Sequence, residues 1–518
     1  MKSLKNFPAF AVLLLILIAG SCNNEQTTVT DALQYVPENA TSVMSVNLKS
    51  LMQKADFEAV KQMEFYQEMV RETEQNQPVV ASVLLDPEKS GIDLTQKMYV
   101  ATELNKDNPE ELTTYALFSL DDPSAFGKML SATNMEVVEQ NGVKMLKNGP
   151  SNAAIGWKDN MAVFALSNSS EVSTTDKLLA VFNPATHGTL ASNKAANKAL
   201  LQPHDFTTWM STDAMAGNSA AKMGLHMLDL DENVLMGNSI HGYADFENGE
   251  MVGHADFFIN KGLGKDFIGR FFKKEVETDF SGILPKENLA FAAVGALDVK
   301  GIDQFLSERP QTKGFADFAL NDLGLKREDL VSILGGDMMV AGFDANADKP
   351  SFLMAINVKN EKKAQEFLMA AVQQKKLKEV GKNYYKVVSI GNQDFSITIN
   401  KGMGKLLLKD NLLIFSADDA LLEKIKEGKL SSAELVDKKI LQSFQDQTLA
   451  GWFTFSALQK AMDRSVARHF DQMKFNVNAK GADFILKTSE NGQNSLQTLI
   501  KVMNEAFLEN KIGRQEPM

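Results

Sequence analysis

The feature that most constrains the fold of this chain is an internal repeat. The segment Trp157–Phe164 (Trp-Lys-Asp-Asn-Met-Ala-Val-Phe) aligns without gaps with Leu408–Phe415 (Leu-Lys-Asp-Asn-Leu-Leu-Ile-Phe). Each segment predicts a strand, a Lys-Asp-Asn turn and a second strand, because Asp and Asn tolerate the left-handed backbone that a tight hairpin needs. The repeat therefore predicts the same β-hairpin twice.

Further matches follow in the same order and at similar offsets. They pair Pro37-Glu38-Asn39 with Pro285-Lys286-Glu287-Asn288, Tyr115–Leu120 with Phe352–Asn357, and Thr208–Ser211 with Gly451–Thr454. Ordered similarity over copies of roughly 250 residues is typical of duplicated domains rather than of short solenoid repeats. A chain of 518 residues also exceeds what one hydrophobic core usually serves. We therefore predict two tandem related domains, 31–281 and 282–518.

The residue pattern inside each copy predicts an α+β fold. Met44, Val46 and Leu48 alternate with polar residues as in a half-buried strand, and Asn248-Gly249 between apolar runs predicts a hairpin. Apolar residues at helical spacing close both copies: Leu263, Phe267, Ile268 and Phe271 in the first, and Leu496, Leu499, Ile500, Met503 and Phe507 in the second. We expect antiparallel sheets with helices packed on one face.

The N-terminus predicts an export signal. Lys2 and Lys5 accompany an apolar run from Ala9 to Ala19 that is too short to span a membrane, and small residues lead into Cys22. Residues 1–21 thus predict a cleaved signal peptide. The polar segment 22–30 predicts a flexible tether between this signal and the body.

Cys22 and the residues before it are similar to a known lipidation motif. Ala19-Gly20-Ser21-Cys22 resembles the lipobox of bacterial lipoproteins, which implies that Cys22 is lipidated and anchors the mature chain to a membrane. Asn23 rather than Asp follows this cysteine, so the common inner-membrane retention signal is absent and the outer membrane is favoured. Whether the body faces the periplasm or the cell surface stays open.

The chain as a whole resembles one family. With Cys22, the strand entry Val36–Ala40 (Val-Pro-Glu-Asn-Ala) and the duplicated α+β body, it resembles Bacteroidota lipoproteins that carry domain of unknown function 4836. The resemblance implies a location in the cell envelope. It supplies no catalytic residue.

Charge and cysteine content exclude some classes of function. The formal net charge is −12, and loss of Lys2 and Lys5 with the signal makes it −14. Such a charge repels nucleic-acid phosphates, so we expect no nucleic-acid partner. Cys22 is the only cysteine, so disulfides cannot stabilise the body. The sequence contains no nucleophile elbow, zinc-binding helix motif or phosphate-binding loop, and we expect no cofactor.

The Asn248-Gly249 hairpin carries the candidate metal site. A two-residue loop sets a register that pairs three couples: Phe246 with Met251, Tyr243 with His254, and His241 with Asp256. The pleat then places four metal-ligating residue types on one face: His241, His254, Asp245 and Asp256. Imidazoles and carboxylates in this arrangement suit zinc or acid–base chemistry. The solvated face of an ordinary antiparallel sheet explains the same residues without a site.

A methionine-rich stretch carries the candidate ligand site. Its members are Met210, Met215, Met223, Met227 and Met236. Met223 and Met227 are one helical turn apart, and His226 lies beside Met227. Thioethers with an imidazole suit cuprous ion, and a flexible methionine surface suits varied apolar ligands. Packing in a core explains the same spacing.

These observations predict a lipid-anchored envelope protein without enzymatic activity that binds or scaffolds a partner at the outer membrane. Two other hypotheses stay open. A carrier or chaperone for a hydrophobic ligand predicts a large apolar cavity. A metal-dependent hydrolase centred on the His241/His254 face predicts polar groups that converge in a cleft. The expected partners are the membrane, through the acylated N-terminus, and an envelope protein or a hydrophobic ligand.

Overall fold

The structure, a computed structural model, describes most of the body of the chain. The described residues are 32–105, 108, 110–132, 135–146, 152–228, 230–309, 313–314, 316–318, 320, 326–343, 351–388, 404–431, 435–436, 444, 447–458 and 468–513. The predicted signal peptide (1–21), the tether (22–30) and the lipidation site Cys22 lie outside them.

The described residues form an α+β structure, which confirms the predicted fold class. The strands are β1 (Ser42–Asn47), β2 (Lys97–Leu104), β3 (Leu112–Ser119), β4 (Val137–Gln140), β5 (Val143–Leu146), β6 (Ala153–Lys158), β7 (Met161–Ser167), β8 (Phe206–Ser211), β9 (Ser239–Glu247), β10 (Glu250–Phe258), β11 (Leu289–Ala296), β12 (Leu334–Phe343), β13 (Ser351–Val358), β14 (Leu377–Gly381), β15 (Tyr384–Val387), β16 (Lys405–Lys409), β17 (Leu412–Ser416), β18 (Leu449–Thr454), β19 (Phe470–Asn478) and β20 (Gly481–Thr488).

The helices are α1 (Leu48–Ala55), α2 (Phe57–Lys61), α3 (Glu64–Asn76), α4 (Pro78–Leu85), α5 (Pro123–Ser131), α6 (Thr174–Val181), α7 (Pro184–His187), α8 (Lys194–Leu200), α9 (Ser219–Met227), α10 (Gly269–Phe271), α11 (Val299–Ser307), α12 (Arg327–Ile333), α13 (Glu361–Gln373), α14 (Asp419–Glu427) and α15 (Ser495–Gly513). A π-helical segment, Gly262–Ile268, leads into α10. In the part of the chain that the structure describes, no helix combines the length and apolarity needed to cross a membrane.

Close contacts divide the chain into two compact units. Unit 1 consists of the described residues of Met1–Lys222, Leu235–Phe258 and Glu490–Met518, and unit 2 of Met223–Val234 and Ile259–Ser489. The units do not coincide with the predicted domains 31–281 and 282–518. Each unit includes a segment that the predicted domain boundaries assign to the other unit.

The two units have the same strand order. The antiparallel sheet of unit 1 runs β4-β5-β6-β7-β3-β2-β1-β8-β9-β10. The antiparallel strands of unit 2 run β14-β15-β16-β17-β13-β12-β11-β18-β19-β20. Strands that the internal repeat aligns occupy equivalent places in these orders. The duplication itself stays a prediction, with which the shared order agrees.

The repeated Lys-Asp-Asn segment forms a hairpin turn in both units, as predicted. Trp157 pairs with Ala162 across the first turn, and Leu408 pairs with Leu413 across the second. Asp159 and Asp410 have φ angles of 48° and 52°. Both lie in the left-handed region that Asp tolerates better than most residues.

Apolar clusters lie on both faces of the unit 1 sheet. The adjacent β2 residues Met98 and Tyr99, which point to opposite faces, belong to different clusters. The Met98 cluster includes Leu48 of α1, and the Tyr99 cluster includes Leu178 of α6. The expectation of helices on one face only is therefore wrong for unit 1, because the strands are apolar on both faces.

The two predicted terminal apolar stripes both form helices, but each packs in an unexpected unit. Leu496, Leu499 and Ile500 of α15 pack into the core cluster of unit 1. The Gln497 Nε2 group donates a hydrogen bond to the Lys54 carbonyl oxygen at 2.9 Å. The stripe at the end of the first sequence copy packs instead in unit 2, where Phe271 contacts Phe305 with ring centroids 4.9 Å apart. Each sequence copy thus contributes its last helical segment to the other unit.

Candidate functional site

The β9–β10 hairpin has the register that the sequence predicts. His241 pairs with Asp256, Tyr243 with His254, and Phe246 with Met251. Gly249 has a φ of 77°, and a Cβ atom there would lie 2.8 Å from Asn491 Cα, so this turn position requires glycine.

The four candidate metal ligands on this hairpin do not converge. His241 Nε2 lies 3.0 Å from the Ser239 hydroxyl, and its ring packs against Phe258 at 4.2 Å. His254 Nε2 lies 3.2 Å from Asp256 Oδ1, and this contact is largely exposed. Asp245 is directed to other partners. Across the described ranges, no group of three or more His, Cys, Asp or Glu side chains is arranged to hold a metal ion.

The environment of His241 favours its neutral form. Burial lowers the pKa of the His241 imidazole, and the nearby positive charge of Lys198 lowers it further, against an opposing effect of the Asp256 carboxylate. The net shift is downward. A neutral imidazole that shares a hydrogen bond with a serine hydroxyl has its hydrogen-bonding requirement met within the sheet.

One polar group of this face, Asp245, belongs to a network that the sequence did not reveal. Asp245 Oδ2 lies 2.6 Å from His204 Nδ1, and its Oδ1 accepts a hydrogen bond from the Asp205 backbone amide at 2.9 Å. The His204 ring stacks on Tyr243 with centroids 3.7 Å apart and planes 5° from parallel. Asp245 therefore fixes the segment that enters β8 against β9.

Asp205 lies at the centre of the network. Its side chain is 1% exposed and accepts hydrogen bonds from the Ser50 hydroxyl at 2.5 Å, the Lys54 ammonium at 2.8 Å and the Phe246 amide at 2.7 Å. Partial burial alone lowers the pKa of Lys54, but its hydrogen bond to Asp205 and the charges of Asp205, Glu247 and Asp245 raise it above its ordinary value. The network joins α1, the start of β8 and β9. Its donors and acceptors are used within the fold, which is the pattern of a structural clamp.

Sequence reasoning missed His204 and Asp205 because neither belongs to a motif. Asp245 is 41 residues from His204, and Ser50 is 155 residues from Asp205. The only signal in the sequence was Asp205 itself, which lies directly before an apolar strand. Buried Asp residues are almost always paired, so an Asp at this position indicated a partner.

The methionines of the candidate ligand site are exposed. Met223 is 65% exposed and Met227 68% exposed, so core packing does not explain their helical spacing on α9. Their neighbour His226 is also exposed. The other three methionines of this stretch, Met210, Met215 and Met236, are between 40% and 48% exposed.

Four exposed methionines of unit 1 lie on β1, on β8 and in the loops between β8 and β9. We define the methionine surface as Met44, Met210, Met215 and Met236. Met210 of β8 pairs with Ser42 of β1, two residues from Met44, so the two methionines lie on one sheet face.

The loops that carry the other two methionines are joined to each other. Gly237 N donates a hydrogen bond to Asp213 Oδ1 at 2.6 Å, and Asn238 Nδ2 donates one to the Thr212 hydroxyl at 3.1 Å. These bonds fix the backbone near Met215 and Met236 and leave flexible thioether side chains on an ordered frame.

Unit 2 has an aromatic row on one sheet face. Phe291 of β11 pairs with Phe453 of β18, and their rings stack at 5.8 Å. Phe475 of β19 continues the row at 6.3 Å from Phe453. All three side chains are half-buried. Unit 2 also has a cavity of about 410 Å³ with a mixed polar lining beside the Asp410 hairpin.

Comparisons with known proteins give a family and a distant structural likeness. The family model described as domain of unknown function (DUF4836) matches residues 34–440. No curated protein matches the chain.

Crystal structures of TP0453 are among the solved structures that match. Crystal form I has a TM-score of 0.26 and 11% identity, with 45% of this chain and 80% of that chain covered. Crystal form III has a TM-score of 0.25 and 10% identity, with 49% and 92% covered. At these TM-scores the likeness carries no argument about this chain.

Proposed function

The chain belongs to the family defined by domain of unknown function DUF4836, and we propose that it is a lipid-anchored, non-enzymatic binding protein of the bacterial cell envelope. The observation that carries the proposal is the methionine surface of unit 1. Thioether side chains are flexible and polarisable, so they adapt to apolar partners of different shape. We assign this surface the role of binding or scaffolding an apolar segment of an envelope protein.

Exposed apolar groups on an ordered frame support a binding role. Met215 and Met236 are 48% and 45% exposed, on loops held together by hydrogen bonds. Exposed apolar patches on soluble bodies are commonly interaction sites. The His241 face, by contrast, uses its polar groups within the fold.

The anchor is supported by the sequence alone. The predicted signal peptide 1–21 and Cys22 in its lipobox-like context support a lipid at the N-terminus, with the outer membrane as the favoured location. Metabolic labelling with a radioactive fatty acid should mark the protein, and Cys22→Ala should abolish the label and release the body from membranes. A labelled Cys22→Ala protein would contradict the anchor.

Site-specific photocrosslinking in the native cells tests the binding role. A photoreactive residue at position 215 or 236 should give a discrete adduct with an envelope protein. The same residue at Met503, which is 55% exposed on α15 and outside the methionine surface, is the matched control. Met210→Gln and Met44→Gln together should weaken the adduct at position 215. Equal adducts at 215, 236 and 503, or none at 215 and 236, would contradict the proposal.

The aromatic row of unit 2 favours a second candidate function, a carrier of a hydrophobic ligand. Phe291, Phe453 and Phe475 form a half-buried row suited to acyl chains or flat apolar molecules. Native mass spectrometry of the protein extracted from its own membrane, beside a form beginning at Asn23, tests this candidate. A reproducible added lipid mass on both forms, reduced by Phe453→Ser, would support the carrier; a bare body in both would exclude it.

A further inference from the structure

The sheet of unit 2 has one closed apolar face and one apolar face that is only half-covered. Met339, Ala341, Leu353 and Ala355 of β12 and β13 point to the closed face, and each is 0% exposed. Their neighbours along the same strands point the other way and are also apolar, but half-buried. We define the open face by the half-buried apolar side chains that strand pairing places on that side: Phe291, Ala293, Met338, Val340, Phe352, Met354, Ile356, Phe453 and Phe475.

The equivalent face of unit 1 is closed. Strand pairing, counted from the aligned residues Phe164 and Phe415, sets three positions of unit 1 against three of unit 2: Met98 against Met338, Ala116 against Met354, and Phe118 against Ile356. The three unit 1 residues are 5%, 6% and 1% exposed. Helices α1 and α15 contribute to the cluster that contains Met98 and Phe118. The shared strand order therefore does not by itself leave this face open in unit 2.

Two more rings continue the aromatic row across the open face. Phe352 of β13 pairs with Gly342 of β12, which pairs on its other side with Phe291. A Cβ atom at Gly342 would overlap the Phe291 ring, so this ring occupies the space above the glycine. Phe415 of β17 lies beyond Phe352, with ring centroids 5.5 Å apart. The row thus crosses the strands from β17 to β19, about 24 Å at a strand spacing of about 4.8 Å.

Smaller side chains lie beside the aromatic row. On β11, Ala293 follows Phe291 on the same face, and Val340 of β12 pairs with Ala293. Met338 and Ile356, which pair with each other, lie one step further along their strands on this face. Because Ala293 and Val340 are smaller than the residues on either side, the open face contains a shallow channel that runs across the strands, with the aromatic row as one wall.

Helix α13 closes one end of this channel. Leu413 and Phe415 of β17 pack against the cluster that contains Leu368 of α13 and Leu408 of β16. A chain that lies in the channel therefore ends near Phe415 and extends from there towards β18 and β19.

The cover and length of the channel favour a thin, flexible, apolar occupant. A helix of a protein partner measures about 10 Å across with its side chains and needs a fully exposed surface, whereas the fold already covers part of every side chain of the open face. One lipid acyl chain spans a single leaflet, about half of the roughly 30 Å hydrocarbon core of a bilayer. Such a chain fits within the length of the row. A flat ring system is shorter and would leave most of the row without contact.

We infer that the open face of unit 2 binds one long acyl chain, as carried by a fatty acid or a single-chain phospholipid. The chain lies across the strands beside the aromatic row, with its methyl end near Phe415 and its head group towards β19. Affinity rises with chain length, because each added methylene buries more apolar surface. The inference rests on the carrier function proposed for the aromatic row and narrows its ligand to one chemical class.

Calorimetric titration of the unlipidated body, beginning at Asn23, tests the inference. Palmitate should bind at one saturable site, and octanoate at least tenfold more weakly. Palmitoyl lysophosphatidylcholine distinguishes the two sources of the chain. Affinity equal to that of palmitate would assign recognition to the chain alone, and affinity at least tenfold lower would select the free fatty acid.

A substitution in the channel floor tests the location. Ala293→Met introduces the residue that unit 1 has at the equivalent position, since Met44 pairs with Val100 as Ala293 pairs with Val340. The variant should fold, because the sheet of unit 1 accommodates Met44, and it should bind palmitate about tenfold more weakly. Ala244→Met, at a half-buried strand alanine of unit 1, is the matched control and should bind as the parent does.

Spin-labelled stearates test the direction of the chain. A nitroxide at carbon 16 should broaden the methyl NMR signal of Met354 on β13 more than that of Met473 on β19, and a nitroxide at carbon 5 should do the reverse. Failure of both palmitate and the flat probe 1-aminoanthracene to bind would overturn the carrier function and the inference together. Binding of 1-aminoanthracene without palmitate, equal affinities for palmitate and octanoate, unchanged affinity in Ala293→Met, or the same broadening by both labels would overturn the acyl-chain assignment alone.

Discussion

The Asp205 carboxylate lies 2.8 Å from the Lys54 ammonium, and it is the most deeply buried charged group of the unit 1 network, with 1% of its side chain exposed. The same carboxylate accepts hydrogen bonds from Ser50 and from the Phe246 backbone amide. One side chain thus joins α1 to the start of β8 and to β9.

Replacement of Asp205 should strongly destabilise the protein. Asp205→Ala leaves the Phe246 amide and the Ser50 hydroxyl without their acceptor and removes the partner of Lys54, which should cost about 3 kcal/mol. Urea unfolding measures this cost. Glu247→Gln is the control, because Glu247 lies 3.6 Å from the same Lys54 but is 55% exposed, and it should cost less than about 1 kcal/mol. Equal costs for the two variants would contradict the clamp.

The His241 face should not be a zinc site. His241→Ala and His254→Ala together should leave the zinc content and affinity of the purified protein unchanged, because each imidazole already has its own partner. Equilibrium dialysis with Zn²⁺ measures this. A loss of bound zinc in the double variant would revive the metal hypothesis.

Gly301 should not accept a side chain. An added Cβ atom would lie 2.3 Å from the Arg270 carbonyl oxygen, where α11 passes the end of α10. Gly301→Ala should therefore cost about 1–3 kcal/mol. Gly224→Ala is the opposite case, because Gly224 lies in α9 with open space around it and should gain about 0.5–1 kcal/mol. Urea midpoints of the two variants should move in opposite directions.

Stability should fall as the pH rises above 10. Burial raises the pKa of five of the seven tyrosines, Tyr35, Tyr66, Tyr115, Tyr384 and Tyr385, above the ordinary 10.0. Above that pH the folded chain retains phenol protons that the unfolded chain has lost, so stability is full below pH 10 and is lost as pH rises. Tyrosinate absorbance and near-ultraviolet circular dichroism should therefore change together. Ionisation of all seven near pH 10 in a native fold would contradict this.

Removal of α15 should unfold unit 1 first. A chain that stops at Ser489 lacks Leu496, Leu499 and Ile500 from the unit 1 core and the Gln497 bond to Lys54. Single-tryptophan variants report on each unit, with Trp209 in unit 1 and Trp452 in unit 2. The truncated chain should lose the cooperative transition at Trp209 and retain it at Trp452. A native Trp209 signal after truncation would show that α15 is dispensable.

Local patterns could be predicted from the sequence, and distant partners could not. The register of the Asn248-Gly249 hairpin was correct because turn length fixes the pairing of its strands. The prediction of a terminal helix from the apolar stripe of α15 was also correct. Such a stripe, however, does not specify which surface of the protein covers it. Likewise, helical spacing did not distinguish buried from exposed positions for Met223 and Met227, since methionine suits both.

The sequence could not predict the separate partners of the four candidate metal ligands, for a related reason. The pleat correctly predicted that His241, His254, Asp245 and Asp256 share a face, but not which hydrogen bonds each would make. Asp245 bonds to the His204–Asp205 segment, which no local pattern connects to β9.

The exchange of terminal helices sets an order of assembly. Leu48 of α1 is synthesised before the large segment of unit 2, Ile259–Ser489, whereas Leu496 and Ile500, which pack in the same core cluster, are synthesised after it. Unit 1 therefore begins first and closes last, after all of unit 2 has been synthesised. Until then its incomplete apolar surface is a hazard for aggregation and a target for chaperones.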